Sequence, residues 1–129
     1  MSTPIRLRIP ASPAWVVLAR TTATACCARL DFDVDRLEDV RLAVDEVTGM
    51  LIGLATQDSE VACVFTPHED GRLDIEISVT TGSRSLPPTD TFGWAVLTAL
   101  VDDITTTVDA STATVLLHTS RQTASVLDT

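Results

Sequence analysis

Several residue types are missing from this chain or scarce in it, and each absence narrows its chemistry. There is no lysine in its 129 residues, because all nine basic residues are arginine. That excludes a P-loop lysine, a Schiff-base lysine and the lysine of a protein-kinase core. Asparagine and tyrosine are also absent, so no site can depend on either side chain. Aromatics make up only 4% of the residues. The three cysteines, Cys26, Cys27 and Cys63, are an odd number for a disulfide framework, and adjacent Cys26 and Cys27 lack zinc-ligand spacing. They are expected to be small buried hydrophobes; a redox role has no specific feature behind it. No apolar run approaches the ~20 residues of a membrane span, and no signal peptide precedes the first predicted strand. The expectation is a soluble cytoplasmic protein with reduced thiols.

What is present reads as one domain over residues 1–129. Apolar residues form 45% of the chain, enough for a core, and 18 acids against nine bases give a net charge of −9. That charge argues against nucleic acid or an anionic membrane as partner. Ile5, Leu7 and Ile9 alternate with Arg6 and Arg8 between Pro4 and Pro10, predicting a short edge strand. Ser12-Pro13 opens a helix with a buried stripe through Val16, Ala19, Ala23, Cys26 and Leu30. Asp33 or Asp35 caps a second helix, whose stripe Leu37, Val40, Val44, Val47, Leu51 and Leu54 is the strongest periodic signal in the sequence. Two strands follow, over 59–66 and 73–79, with a turn between them. After a loop over 80–90 come a third helix over 91–103 and a hairpin closing at Ala110-Ser111. This order predicts an α/β (α+β) two-layer sandwich, a mixed sheet of about five strands with three helices on one face.

Candidate sites are few. Glu46 lies on a second face of the long helix, among Leu42, Ala43, Gly49, Met50 and Gly53. Mid-helix glycines cost about 1 kcal/mol each relative to alanine, so something should approach closely there. Two readings stay open: a pocket, or a rim carboxylate beside a tight helix crossing. Asp31, Asp33 and Asp35 do not make a calcium loop, since the positions for its glycine and final glutamate hold Arg36 and Leu42. Asp102 and Asp103 read as a solvated corner. His68 and His118 have no evident nucleophile partner.

These residues carry a resemblance. Leu42-Ala43-Val44-Asp45-Glu46-Val47-Thr48 resembles the N-box helix of RsbW-type anti-sigma factors in the GHKL (Bergerat-fold) ATPase superfamily. Leu18-Ala19-Arg20-Thr21-Thr22 is similar to the family's first helix. Phe92-Gly93-Trp94-Ala95-Val96-Leu97, running into Val101-Asp102-Asp103-Ile104, is similar to its second glycine box and the helix behind it. The resemblance spans nearly the whole chain in the right order. It is nearest to actinobacterial UsfX-like members, which bind a sigma-F-type stress sigma factor.

The resemblance implies sequestration of a sigma factor, antagonism by a STAS-domain anti-anti-sigma protein, and a homodimer to which the first strand contributes. It places the family's base at Glu46 and its partner-binding arginine at Arg20. It also implies phosphorylation of the STAS protein with ATP and magnesium, but several positions depart from that pattern. Met50 stands where an asparagine holds magnesium, and a thioether is a poor ligand for that hard ion. Thr80 replaces the aspartate that meets the adenine amino group. Gly82 is kept, but Arg84 and Thr91 replace glycines, leaving Gly93. A hydrogen bond to a charged group is worth about 1.5–3 kcal/mol, so such losses predict a degenerate nucleotide site around Gly82, Arg84 and Gly93. The expectation is therefore no ATP binding or only weak binding, no resident metal, and a protein that is not an enzyme. The alternative is an active serine/threonine kinase using Glu46. A reading outside the family, a small-molecule-binding or structural α/β domain, would show no tight sigma partner.

Overall fold

The computed structural model describes residues 3–82 and 88–121. The chain runs β1 (Ile5–Pro10), a 3-10 turn (Pro13–Trp15), α1 (Val16–Arg29), α2 (Val34–Leu54), β2 (Glu60–Pro67), β3 (Arg72–Thr80), α3 (Phe92–Leu100), β4 (Asp103–Asp109) and β5 (Thr112–Ser120). The five strands form one sheet in the order β1-β2-β3-β5-β4. All four pairings are antiparallel, where element order alone allowed a mixed sheet. The three helices cover one face, as the two-layer reading expected. No described helix is long and apolar enough to cross a membrane.

Period-two patterning sets the sheet's two faces. The row Ile5, Phe65, Ile75, Leu117 and Ile104 lies in register across all five strands, and so does Leu7, Cys63, Ile77, Val115 and Thr106. These rows face the helices. Phe65, Ile75, Ile77 and Leu117 are fully buried against Val40, Val44, Val47 and Leu51 of α2 and Leu97 of α3. Each such side chain contributes roughly 1.5–3 kcal/mol on burial.

Helix ends follow local chemistry. Asp33, rather than Asp35, caps α2: its carboxylate accepts the Arg36 N–H at 2.7 Å, and Asp35 lies in the first turn, where the dipole favours an acid. Ser12 is extended but makes no side-chain cap, and a 3-10 turn intervenes before α1. The third helix ends at Leu100 rather than Asp103, because Val101 is already extended and the Asp102 N–H bonds the His118 carbonyl at 2.9 Å.

The corner holding Asp102 is not simply solvated. Arg36 is only 6% exposed. Its guanidinium donates to Asp102, to the Ser120 carbonyl at 3.0 Å and to the Leu100 carbonyl at 3.4 Å. One side chain thus ties the start of α2 to the ends of α3 and β5. Removing one partner of a buried pair costs about 3–5 kcal/mol. Asp102 keeps 35% of its side chain exposed, which lowers that figure. Arg36→Met is expected to destabilise the fold by about 2–4 kcal/mol in urea unfolding, and Asp102→Asn by less.

Candidate functional site

Glu46 stands in the angle between the open side of α2 and the first turn of α3. The Glu46 side of α2 is open: a Cβ built on Gly49 or Gly53 would meet nothing within 4 Å. Among the described residues no backbone crowds these two glycines; the close helix approach falls at Glu46 itself. What they leave is a stretch of α2 backbone bared between Glu46, Met50 and the entry to α3.

Facing it is the first turn of α3. Thr91 caps it, accepting the Trp94 N–H at 3.1 Å. Gly93 lies directly over the Glu46 carboxylate: a Cβ there would stand 2.7 Å from Glu46 Oε1 and 3.5 Å from Met50 Cε. Gly93 does not have a positive φ, so space rather than backbone conformation demands glycine. The glutamate is thereby held at the positive end of a helix dipole, where a carboxylate is favoured. Phe92, at the same turn, is 85% exposed.

The end of β3 lies against the C-terminal end of α2, where Ala55 bridges Thr81. The Thr56 N–H bonds the Thr80 carbonyl at 2.9 Å and the Thr81 N–H bonds the Ser111 carbonyl at 2.7 Å. Gly82 follows, with Thr56 Cγ2 3.5 Å from where its Cβ would be. Strand alternation matters here. Val79 and Thr81 are buried, whereas Thr80 is exposed and shares the pleat of Glu76 and Ser78, away from the helices. The hydroxyl on the helix side at this point is therefore that of Thr81, which sequence reasoning passed over; the alternation of β3 carried through one more residue would have found it. Arg84 lies outside the described residues.

A nucleotide is the group that the family implies here. Gly49 and Gly53 leave open space on the side of α2 that carries Glu46 and Met50, and the resemblance would place a nucleotide against that side. Magnesium is held by one or two carboxylates together with substrate phosphates and keeps several waters. Glu46 supplies one carboxylate, and Met50 supplies no oxygen. No group of three His, Cys, Asp or Glu side chains able to hold a metal lies among the described residues, so this donor set does not fit a resident magnesium ion.

The other candidates fall elsewhere. Arg20 was expected to be largely exposed, but its side chain is 34% exposed and pairs with Asp45 on α2 at 3.1 Å. The pairing arises because α1 and α2 pack side by side. Burial pushes the Cys27 thiol up to about 12, with neighbouring Cys26 adding to it and Arg36 opposing it. Burial alone takes Cys63 to about 11 and also raises Cys26. Reactive thiols are exposed and acidic; these three are the reverse. Asp74 bridges His68 at 2.8 Å and His118 at 2.7 Å. Burial pushes its carboxyl up, but the bonds from His118 and His68 outweigh that and hold it below its usual value.

Comparison with known proteins settles the lineage. The chain is 35% identical over 102 residues to an anti-sigma-F factor RsbW of Mycobacterium tuberculosis, covering 79% of this chain and 60% of that one. The chain is homologous to the RsbW-type anti-sigma factors. It is also 32% identical over 84 residues to a serine-protein kinase RsbW of Bacillus pumilus, covering 61% of this chain and 51% of that one. A solved structure of the RsbU and RsbW domains of a Mycobacterium tuberculosis protein matches 92% of this chain and 32% of that chain, with a TM-score of 0.70 and 17% identity, which shows the fold. No family model matches. The chain spans about 60% of the length of the Mycobacterium relative and about half that of the Bacillus ones.

The expectation that this is not an enzyme is overturned. Relatives from Bacillus pumilus, Bacillus cereus, Bacillus thuringiensis and Bacillus mycoides, 30–32% identical, are named serine-protein kinases. Of the substitutions behind that expectation, Thr91 has a structural role of its own. Thr91 in place of glycine caps α3, and Gly93 still makes room for Glu46.

Gly93→Ala tests this placement directly. The new Cβ would displace the end of a flexible side chain, so stability should change by less than about 1 kcal/mol, while Glu46 is pushed off its position. We expect an unchanged Tm and at least a tenfold loss of any Glu46-dependent activity, compared by calorimetry and phosphoryl-transfer assay.

Proposed function

We propose that this chain is a sigma-factor regulator of the RsbW type that acts as an ATP-dependent serine kinase on a STAS-domain antagonist, and that holds the sigma factor until that antagonist competes for it. Homology to relatives named as anti-sigma factor and as serine-protein kinase supports the two halves of this reading. The observation that carries it is the placement of the Glu46 carboxylate against Gly93, beside the open side of α2 at Gly49 and Gly53.

ATP as substrate supplies the γ-phosphoryl group and the ADP leaving group. Glu46 accepts the proton of the acceptor serine hydroxyl as its oxygen bonds to phosphorus and the bridging oxygen–phosphorus bond of ATP breaks. The α3 N-terminus carries partial positive charge beside that carboxylate and favours the anionic groups gathered there. Thr81, Gly82, Gly49 and Met50 flank this site and position the nucleotide. Phosphoryl transfer rests largely on such positioning and on charge stabilisation, which explains how a site without lysine or asparagine serves it.

The test is radiolabel transfer from ATP and magnesium to a STAS-domain protein encoded in the same genome. Transfer that falls at least 100-fold in Glu46→Ala, with sigma binding retained, is the expected result. Absence of transfer by the unaltered chain, or transfer indifferent to Glu46, overturns the kinase reading.

Arg20 belongs to the partner surface in this proposal. Its pairing with Asp45 fixes the guanidinium on the outside of the α1–α2 pair, with donors left for a partner carboxylate. Arg20→Ala is expected to weaken sigma affinity about tenfold or more by calorimetry and, because the pair is about two-thirds buried and Asp45 loses its hydrogen-bond partner, to cost about 1–2 kcal/mol of stability. Unchanged affinity would remove Arg20 from the interface.

A further inference from the structure

A recess of about 460 Å³ opens where α1 gives way to α2, within the size range of small-molecule sites. One wall is the end of α1, with Arg29, Leu30 and Asp31. The other is the turn after β2, with Pro67 and Glu69, joined by Arg121 just past β5. Glu46 lies thirteen residues beyond Asp33 along α2, about 20 Å at helical rise, so the recess is separate from the site at Glu46.

Backbone bonds fix both walls. Asp31 stands in the left-handed region at φ 62°, and the Asp31 and Phe32 N–H groups close the end of α1 on the Ala28 and Cys27 carbonyls at 3.1 and 3.0 Å. Across the recess the Gly71 N–H bonds the His68 carbonyl at 3.0 Å, and the Arg121 N–H bonds the Gly71 carbonyl at 2.8 Å.

The charges on these walls are not used by the fold. Arg8, Arg20, Arg36, Arg41 and Arg72 each pair with an acid. Among the described residues the side chains of Arg29, Arg121 and Asp31 make no hydrogen bond or ion pair, although acids outnumber bases 18 to nine in the chain. The Arg121 guanidinium rests on the turn: a Cβ built on Gly71 would stand 2.6 Å from its Nε. That Nε–H is buried and has no acceptor, and a buried donor left unmade is destabilising. A ligand oxygen met by a small rotation of this long side chain would supply the acceptor.

Each wall carries one base and one acid, Arg29 with Asp31 and Arg121 with Glu69. A dianion such as phosphate would gain two guanidiniums and meet two carboxylates. A neutral molecule with charges of both signs faces the walls without that conflict. We infer that the recess binds a small zwitterion bearing a carboxylate and an ammonium group, the chemistry of a free amino acid. Its carboxylate takes Arg29 and Arg121, whose planar guanidiniums pair with such a group through parallel bonds. Its ammonium faces Asp31, and Leu30 and Pro67 offer apolar surface to its side chain.

The experiment is calorimetry on the full chain at low ionic strength, where charged contacts are least screened. The probes are glycine, leucine and glutamate, then leucinamide, which lacks the carboxylate, 4-methylpentanoate, which lacks the ammonium, and inorganic phosphate. At least one amino acid is expected to bind about tenfold or more tightly than the last three. Arg29→Gln with Arg121→Gln is expected to weaken that binding about tenfold or more, and Asp31→Asn to remove the preference over 4-methylpentanoate. Arg29 and Asp31 are exposed, asparagine tolerates the left-handed conformation, and matching melting curves would show the variants folded. Four results overturn the inference: no amino acid binds at millimolar concentration; phosphate binds most tightly, making this a plain anion site; binding survives the double arginine change; or Asp31→Asn leaves the preference intact.

Discussion

The guanidinium of Arg36 fixes the relation between the helix layer and the far end of the sheet. From the first turn of α2 it holds the last carbonyl of α3, the corner carboxylate Asp102 and the last carbonyl of β5. Ten residues further along α2, about 15 Å at helical rise, Glu46 meets the first turn of α3. α3 is therefore held against α2 at both ends, by a buried cation at one and by the fit of glycine to carboxylate at the other. Gly49 and Gly53 lie further along α2, beyond the start of α3, and the helix side there stays open.

A buried cation of this kind is costly to desolvate and is repaid only by several well-placed acceptors. Here the acceptors come from three separate elements, so satisfying the charge also specifies how they assemble. The neighbouring polar cluster works in a similar way on the open face: Asp74 joins the turn after β2 to β5 through its two histidines. Polar groups thus define the lower end of the molecule, while Phe65, Ile75, Ile77 and Leu117 supply most of the burial.

The legible parts of the fold were those that local rules govern. The α2 stripe, the alternation in β3 and β5 and the Ala110-Ser111 turn all lie within a few residues of the features that cause them, and the cap of α2 was narrowed to Asp33 or Asp35. The features that escaped reading join positions far apart. Arg36 and Asp102 are 66 residues apart and Arg20 and Asp45 are 25 apart. No spacing rule links such pairs. Gly93 could be picked out as a surviving family glycine, but its reason, the carboxylate beneath it, needed the packing of α3 on α2. Gly49 and Gly53 read as marks of a close approach, yet among the described residues nothing lies within 4 Å of a Cβ at either. Replaced side chains weighed one at a time pointed away from catalysis.

The strand order has a kinetic consequence. β2 with β3, and β4 with β5, are joined by turns of a few residues, so each hairpin closes at small entropic cost. β1 meets β2 only after the chain has passed through both long helices, a loop of roughly fifty residues whose closure costs correspondingly more. Contacts of that separation tend to form late. The first strand of the sequence is thus placed to join the sheet among the last, and it is the segment whose detachment would return the most freedom to the chain while leaving both hairpins intact.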